Sequence, residues 1–372
     1  MKKIFSMLVA AAFMIGAFSA CAKNVDTAQS GSSQAGTVVT EENTAKDRLK
    51  VVSTIFPVYD WVENILGEKS GDVDHTLLIN SGIDLHSYQP TAEDIMKISE
   101  ADVFIYVGGE SDSWVQSALK EAANKDMVVL NLMEIMGDSA KAEEMVEGMQ
   151  DLGHDHDDVD HDHDAEDHDH EDADHDHDHE DIDHDHNHDH EDGEELDEHV
   201  WLSLENAKEL VGVIAEALKT VDGENAGLYS ANAKAYVEKL DELDEKYEDA
   251  VEAGSLNTIL VADRFPFRYL VDDYDLKYYA AFVGCSAETE ASFETITFLA
   301  KKVDELSLHT IFTIENSDKK IAETVVANTK SKDQTISELN SMQSVTSQDV
   351  ANGASYLSIM EANLEALKEA LK

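Results

Sequence analysis

Thirteen of the chain's 17 histidines fall between His154 and His190, most of them alternating with aspartate. They are His154, His156, His161, His163, His168, His170, His175, His177, His179, His184, His186, His188 and His190. From His154 to Glu198 there are 25 acidic residues and no lysine or arginine. Imidazoles and carboxylates are ligands for divalent transition metals, zinc above all. The segment has almost nothing apolar to bury, so it reads as a disordered, solvated loop carrying accessory metal sites. Four histidines stand outside it. His86 lies in the loop Gly82-Ile83-Asp84-Leu85-His86-Ser87-Tyr88-Gln89-Pro90. His199 lies in Asp197-Glu198-His199-Val200-Trp201-Leu202, where the acidic tract ends and helix begins. His75 opens a strand and His309 precedes one, so both read as packing or surface residues.

The elements that must position these side chains form an alternating series. Leu49–Phe56, His75–Ile79, Val103–Val107 and Met127–Leu132 read as strands. Tyr59–Leu66, Ala92–Glu100 and Trp114–Ala123 read as helices between them, and Leu204–Leu218 as a helix after the tract. This alternation predicts an α/β fold with parallel sheets. Apolar residues from Tyr229 to Val251 then recur at spacings of three and four, which predicts one long helix over Asn225–Ala253. A second series follows, with strands at Thr258–Ala262, Tyr278–Phe282, Thr310–Ile314 and Thr335–Leu339 and a closing helix at Ala354–Leu371. The architecture expected is two β/α lobes joined by a long rigid helix. The lobes span residues 49–221 (with a disordered loop at about 151–198) and 255–372, with the helix at 222–254. Pro57, Pro90 and Pro266 mark turns beyond strand ends, where open α/β sheets bind ligands.

Residues 1–20 read as a signal peptide: basic Lys2 and Lys3, an apolar run Ile4–Phe18, then small Ser19 and Ala20. Phe18-Ser19-Ala20-Cys21 resembles a bacterial lipobox, with Phe18 where leucine is usual, so Cys21 is the expected lipidation site. Residues 21–48 read as a lipid-anchored flexible tether. With Cys21 lipidated, Cys285 has no disulfide partner and reads as a small buried apolar residue, with a metal ligand as the lesser alternative. The formal net charge is −53, and −28 without the tract's 25 acidic residues. Clustered Lys and Arg are missing, which excludes nucleic acid as a partner. A zinc hydrolase would want His-Glu-x-x-His on a helix. The nearest matches, His170-Glu171 to His175 and His179-Glu180 to His184, have spacing five inside a tract that holds no helix.

The order of lipobox, Phe-Pro after a strand, Gly-x-x-x-His-x-Tyr-x-Pro-x-x-x-Asp, an Asp/His-rich insert ending in His-Val-Trp-Leu, and a long helix resembles a known family. It is the metal-binding solute receptors (cluster A-I) of bacterial zinc and manganese ABC transporters. The resemblance implies metal held in a cleft between the two lobes, with His86 and His199 as the first lobe's ligands. It implies an extracytoplasmic, lipid-anchored, monomeric receptor that catalyses nothing and hands Zn2+, or Mn2+, to a membrane permease. The insert marks the zinc-type members; a surface zinc store is the alternative. In the second lobe the chain departs from the pattern. Arg264 falls where the family has a histidine or glutamate, and an arginine offers no lone pair. The late family carboxylate falls near Leu339–Gln343, among amides. Glu315 is then the expected second-lobe ligand, with Asp263, Asn340 and Gln343 as alternatives. Arg264 must point away or pair with a carboxylate such as Glu315.

Overall fold

The computed structural model describes residues 48–150, 195–286 and 290–372. The signal sequence, Cys21, the tether up to residue 47 and all thirteen tract histidines lie outside the described residues.

The first lobe is a parallel sheet in the order β2-β1-β3-β4, formed by β1 (Lys50–Ser53), β2 (Asp74–Leu77), β3 (Val103–Tyr106) and β4 (Val128–Asn131). Val51, Val52 and all of β3 are buried, as strands covered on both faces require. The helices are α1 (Phe56–Leu66), α2 (Ala92–Ser99), α3 (Val115–Lys120), α4 (Leu132–Met136) and, beyond the tract, α5 (Leu204–Val221). The expected first strand ran to Phe56, but pairing stops at Ser53 and Phe56-Pro57 opens α1. Proline has no N–H to leave unsatisfied in a first helical turn and fixes the φ a helix needs. Thr91 and Asp94 close a capping box on α2, and Ser203 caps α5 by accepting from the Asn206 N–H at 3.0 Å.

α6 (Ala226–Ala253) is the long helix. It buries Tyr229, Ala233, Tyr236, Leu240, Leu243 and Tyr247, the stripe the sequence spacing predicted. Its first half is tied to α1: Tyr236 donates to Asp60 at 3.1 Å and Asn232 to the Ile65 carbonyl at 2.9 Å. In its second half, Tyr247 donates to the Met360 carbonyl at 2.6 Å. One continuous apolar core therefore runs along the helix and through both lobes.

The second lobe repeats the plan. Its parallel sheet has the order β6-β5-β7-β8, from β5 (Thr258–Phe265), β6 (Lys277–Val283), β7 (Thr310–Thr313) and β8 (Thr335–Glu338). α7 (Arg268–Asp273), α8 (Phe293–Leu306), α9 (Lys320–Asn328), α10 (Ser347–Ala351) and α11 (Tyr356–Ala370) cover it. The register of β5 against β6 shifts between Val261 and Arg264, which carries Asp263 and Arg264 into the strand's carboxyl end. In each lobe the outer strand beside the first (β2 or β6) lies on the opposite side from the third, so the winding reverses there. Ligand clefts form outside the carboxyl ends at such points.

Residues 140–150 leave the first lobe and lie on the second: Lys141 pairs with Asp272 at 2.7 Å, and the Gln150 N–H donates to the Ala281 carbonyl at 2.9 Å. The chain returns from the tract antiparallel to this strap, with Ala142 bridged to Leu196 and the Asp197 N–H donating to the Lys141 carbonyl at 2.8 Å. Among the described residues no helix is long and apolar enough to cross a membrane.

Candidate metal centre

His86 is held by a short 3-10 turn, Leu85–Ser87, which Asp84 caps by accepting the His86 N–H at 3.0 Å. Its Nδ1 faces the Ser111 hydroxyl at 2.8 Å and a Glu198 oxygen at 3.6 Å. Glu198 in turn accepts the Ser111 N–H at 3.0 Å. Gly109, with φ +76°, makes room for that carboxylate, because a Cβ there would lie 2.3 Å from its Oε1. His199 is fully buried. Asp197 Oδ1 takes both its N–H, at 2.8 Å, and its Nδ1, at 2.9 Å. The turn it starts is pinned to the second lobe: Trp201 Nε1 donates to the Ser341 carbonyl at 2.8 Å, and Tyr356 donates to the Trp201 carbonyl at 2.7 Å.

With both Nδ1 atoms engaged, each ring turns its Nε2 toward the other, 3.2 Å apart. A carboxylate on Nδ1–H fixes the tautomer that presents an Nε2 lone pair, as in carboxylate–histidine–zinc arrangements. Two nitrogens about 2.0–2.1 Å from a tetrahedral zinc stand roughly 3.3–3.4 Å apart. The pair is thus already spaced as one edge of a zinc tetrahedron. Among the described residues one further donor joins them: one atom each of His86, His199 and Cys285 lies within 4.8 Å of the others.

The electrostatics suit a cation. Burial, then the neighbouring His199, pushes His86 down to about 3, so its ring is neutral at ordinary pH. Burial alone would lower His199, but Asp197, backed by Glu198 and Asp84, more than offsets it and the net shift is upward. Burial, then Glu143 and Asp197, pushes the Cys285 thiol up. A metal ion inverts this, since a coordinated thiol loses its proton outright.

The family model described as ZnuA, zinc-uptake complex component A, periplasmic, matches residues 51–370. The chain belongs to the ZnuA family. The high-affinity zinc uptake system protein ZnuA of Bacillus subtilis is 30% identical over 326 residues, covering 87% of this chain and 88% of that protein. The zinc-binding lipoprotein AdcA of Streptococcus pneumoniae is 30% identical over 327 residues, and this chain spans 56% of its length. Among solved structures, the Zn(II)-bound ZnuA-like domain of Streptococcus pneumoniae AdcA aligns with a TM-score of 0.62 at 26% identity, over 87% of this chain and 99% of that one. The metal-dependent lipoprotein YcdH of Bacillus subtilis aligns with a TM-score of 0.64 at 25% identity, over 87% and 99%.

Within this ZnuA fold, neither Glu315 nor Asp263 joins the group of His86, His199 and Cys285. Glu315 is buried, and its oxygens accept from the Ser341 N–H and hydroxyl, both at 2.8 Å, and from the Gln343 N–H at 3.1 Å. Burial raises its pKa in spite of those donors. Asp263 accepts from Ser317 at 2.6 Å and from the Arg264 N–H at 2.9 Å. Asn340 Oδ1 accepts the Met342 N–H at 2.8 Å, and Gln343 Nε2 donates to the Ser341 hydroxyl at 3.1 Å. Of the two alternatives for Arg264, pairing with a carboxylate is the one seen, but the partner is not Glu315. Arg264 reaches across to Asp84, at 2.7 Å, because the β5 register shift aims it at the His86 loop. Arg264, Asp84, Asp263 and Glu315 line one interlobe cavity of about 410 Å³. His75 stacks on Tyr59 at 4.3 Å and bonds Glu63 and Ser53, and His309 is exposed, both as packing or surface residues should be. Of the two readings of Cys285, the proximity of His86 and His199 favours the lesser one, a metal ligand. Its sequence signal was its place, Val283-Gly284-Cys285, just beyond a strand's carboxyl end.

Proposed function

We propose that this protein is the zinc-capturing receptor of an ABC-type importer, working outside the cytoplasm on a lipid anchor at Cys21 and catalysing no reaction. It binds one Zn2+ between its lobes through His86 and His199, as a monomer, and delivers the ion to a membrane permease. The two facing Nε2 atoms at 3.2 Å, each with its Nδ1 engaged, carry this reading. Support comes from the zinc-binding names of its relatives and from Zn(II)-bound structures of the same fold. The preference for zinc over manganese follows from the donors, since manganese favours oxygen-rich, six-coordinate sites. The domain division is 1–20, 21–48, 49–221, 222–254 and 255–372.

The test is zinc binding by the full chain with free zinc buffered by a chelator to a level at which solvent-exposed imidazoles stay empty. One equivalent should bind, and His86→Ala or His199→Ala should abolish it. Unchanged affinity in either variant removes the interlobe site, and zinc uptake tracking the tract alone makes the protein a surface store.

A further inference from the structure

Cys285 follows the second strand of its sheet, β6, as His86 follows the second strand of the other, β2. Its backbone is fixed from three sides. The Cys285 N–H donates to Glu143 Oε1, on the strap, at 2.8 Å. Arg264 donates to the Ser286 carbonyl at 3.3 Å while holding Asp84, the cap of the His86 turn. Gly284 lies so close to the first lobe's ligand that a Cβ on it would stand 3.2 Å from His199 Cε1 and 2.9 Å from the Phe265 carbonyl. Only a glycine lets the chain lie against the imidazole there and present the next side chain to the Nε2 pair.

We propose that Cys285 is the second lobe's metal ligand, completing a His86, His199, Cys285 site; this rests on the receptor reading above. On binding, the S–H bond breaks, the proton leaves to solvent, and sulfur donates a lone pair to zinc with no change of oxidation state. In a zinc tetrahedron a nitrogen and a thiolate sulfur stand roughly 3.5 Å apart. The three donor atoms already lie within 4.8 Å of one another, so an approach of about an ångström closes the site. The thiolate supplies the negative charge that two neutral imidazoles lack. It also selects against manganese, which soft sulfur ligands bind poorly. Three protein ligands leave one place of the tetrahedron to water, which suits a site that must also release its ion.

The experiment is cobalt substitution of the full chain carrying Cys21→Ser, so that Cys285 is its only thiol. One tightly held cobalt should give the near-ultraviolet charge-transfer band of a metal–sulfur bond, and Cys285→Ser should lose that band. The substitution should also weaken zinc by more than about a hundred-fold, beyond what losing an outer-shell partner costs. Cadmium NMR of the chain with Cys285 intact reads sulfur ligation from its downfield shift, which guards against a Cys285→Ser variant that fails to fold. One tight ion that depends on His86 and His199, with no sulfur signature and no loss on Cys285→Ser, overturns the assignment and leaves the receptor reading standing. Absence of any tight ion overturns both.

Discussion

Asp84 and Arg264 offer a sharp test of how the cleft tolerates an arginine beside a dication. The pair is 2.7 Å apart, with side chains 17% and 16% exposed, and Arg264 helps push the His86 pKa down, so its field reaches the ligand. A lone positive charge about 7 Å from a dication costs roughly 5 kcal/mol at an effective dielectric of about 20. Asp84 cancels most of that. Asp84→Asn keeps an oxygen for the His86 N–H but strips the neutralising charge. It should therefore weaken zinc by about a hundred- to a thousand-fold after some screening. Arg264→Ala acts in two opposing ways. It loses a charge-assisted bond worth about 1.5–3 kcal/mol to closure, and it frees a carboxylate that attracts the ion. Its net effect should stay within about ten-fold, and the double variant should recover most of the loss seen in Asp84→Asn. Calorimetry under chelator competition, with melting of each metal-free variant alongside, measures the cycle. Equal weakening by Asp84→Asn and Arg264→Ala, with no recovery in the double variant, would show that the pair is only an interlobe strut.

Two further outcomes are expected. Asp60, 9% exposed between α1 and α6, is raised from 3.8 to about 6 by burial, with Tyr236 among the groups opposing the shift. A raised carboxyl contributes stability that is complete below its unfolded pKa and is lost as pH rises through the folded one. The metal-free protein should thus gain roughly 2 kcal/mol from Asp60→Asn at pH 7 relative to pH 4, and an equal difference at both pH values refutes it. A protonated imidazole cannot hold metal, and free imidazole titrates near about 6.5, so zinc bound by the tract's histidines should be released by pH 5; equal total stoichiometry at pH 5 and 7.5 contradicts this.

Much of the architecture was legible because it rests on burial. Strands covered on both faces read as apolar runs, and the Tyr229-to-Tyr247 stripe could only be one helix face. His86 and His199 stood out because one sits in a loop beyond a strand and the other where the acidic tract gives way to helix. Short helices such as α7 and α10, six and five residues long, carry too few turns for a period to show. Arg264 was read against Glu315, a carboxylate of its own lobe, whereas its partner Asp84 lies in the other, 180 residues away. Cys285 was given its lesser weight as a metal ligand for the same reason. Alone beside Val283 and Gly284 it resembles core, and only the meeting of the two lobes gives it imidazole neighbours.

That meeting bears on how such a site captures and releases an ion. His86 rests on the first lobe and His199 on a turn that both lobes hold, and their Nε2 atoms face each other at 3.2 Å. Cys285 comes from the second lobe, its backbone held by the strap and by Arg264. On the assignment proposed here, zinc meets the imidazoles first and sulfur second. α6, with 28 residues and a length of about 42 Å, is bonded to α1 in its first half and to α11 in its second. Bonds of that kind brace the two lobes against each other. Release then depends on withdrawing one ligand rather than on dismantling the site. The ligand placed to withdraw is the one supplied by the second lobe. If so, bracing Cys285 more firmly should slow zinc release more than it tightens binding, and stopped-flow transfer to a chelator would resolve the two.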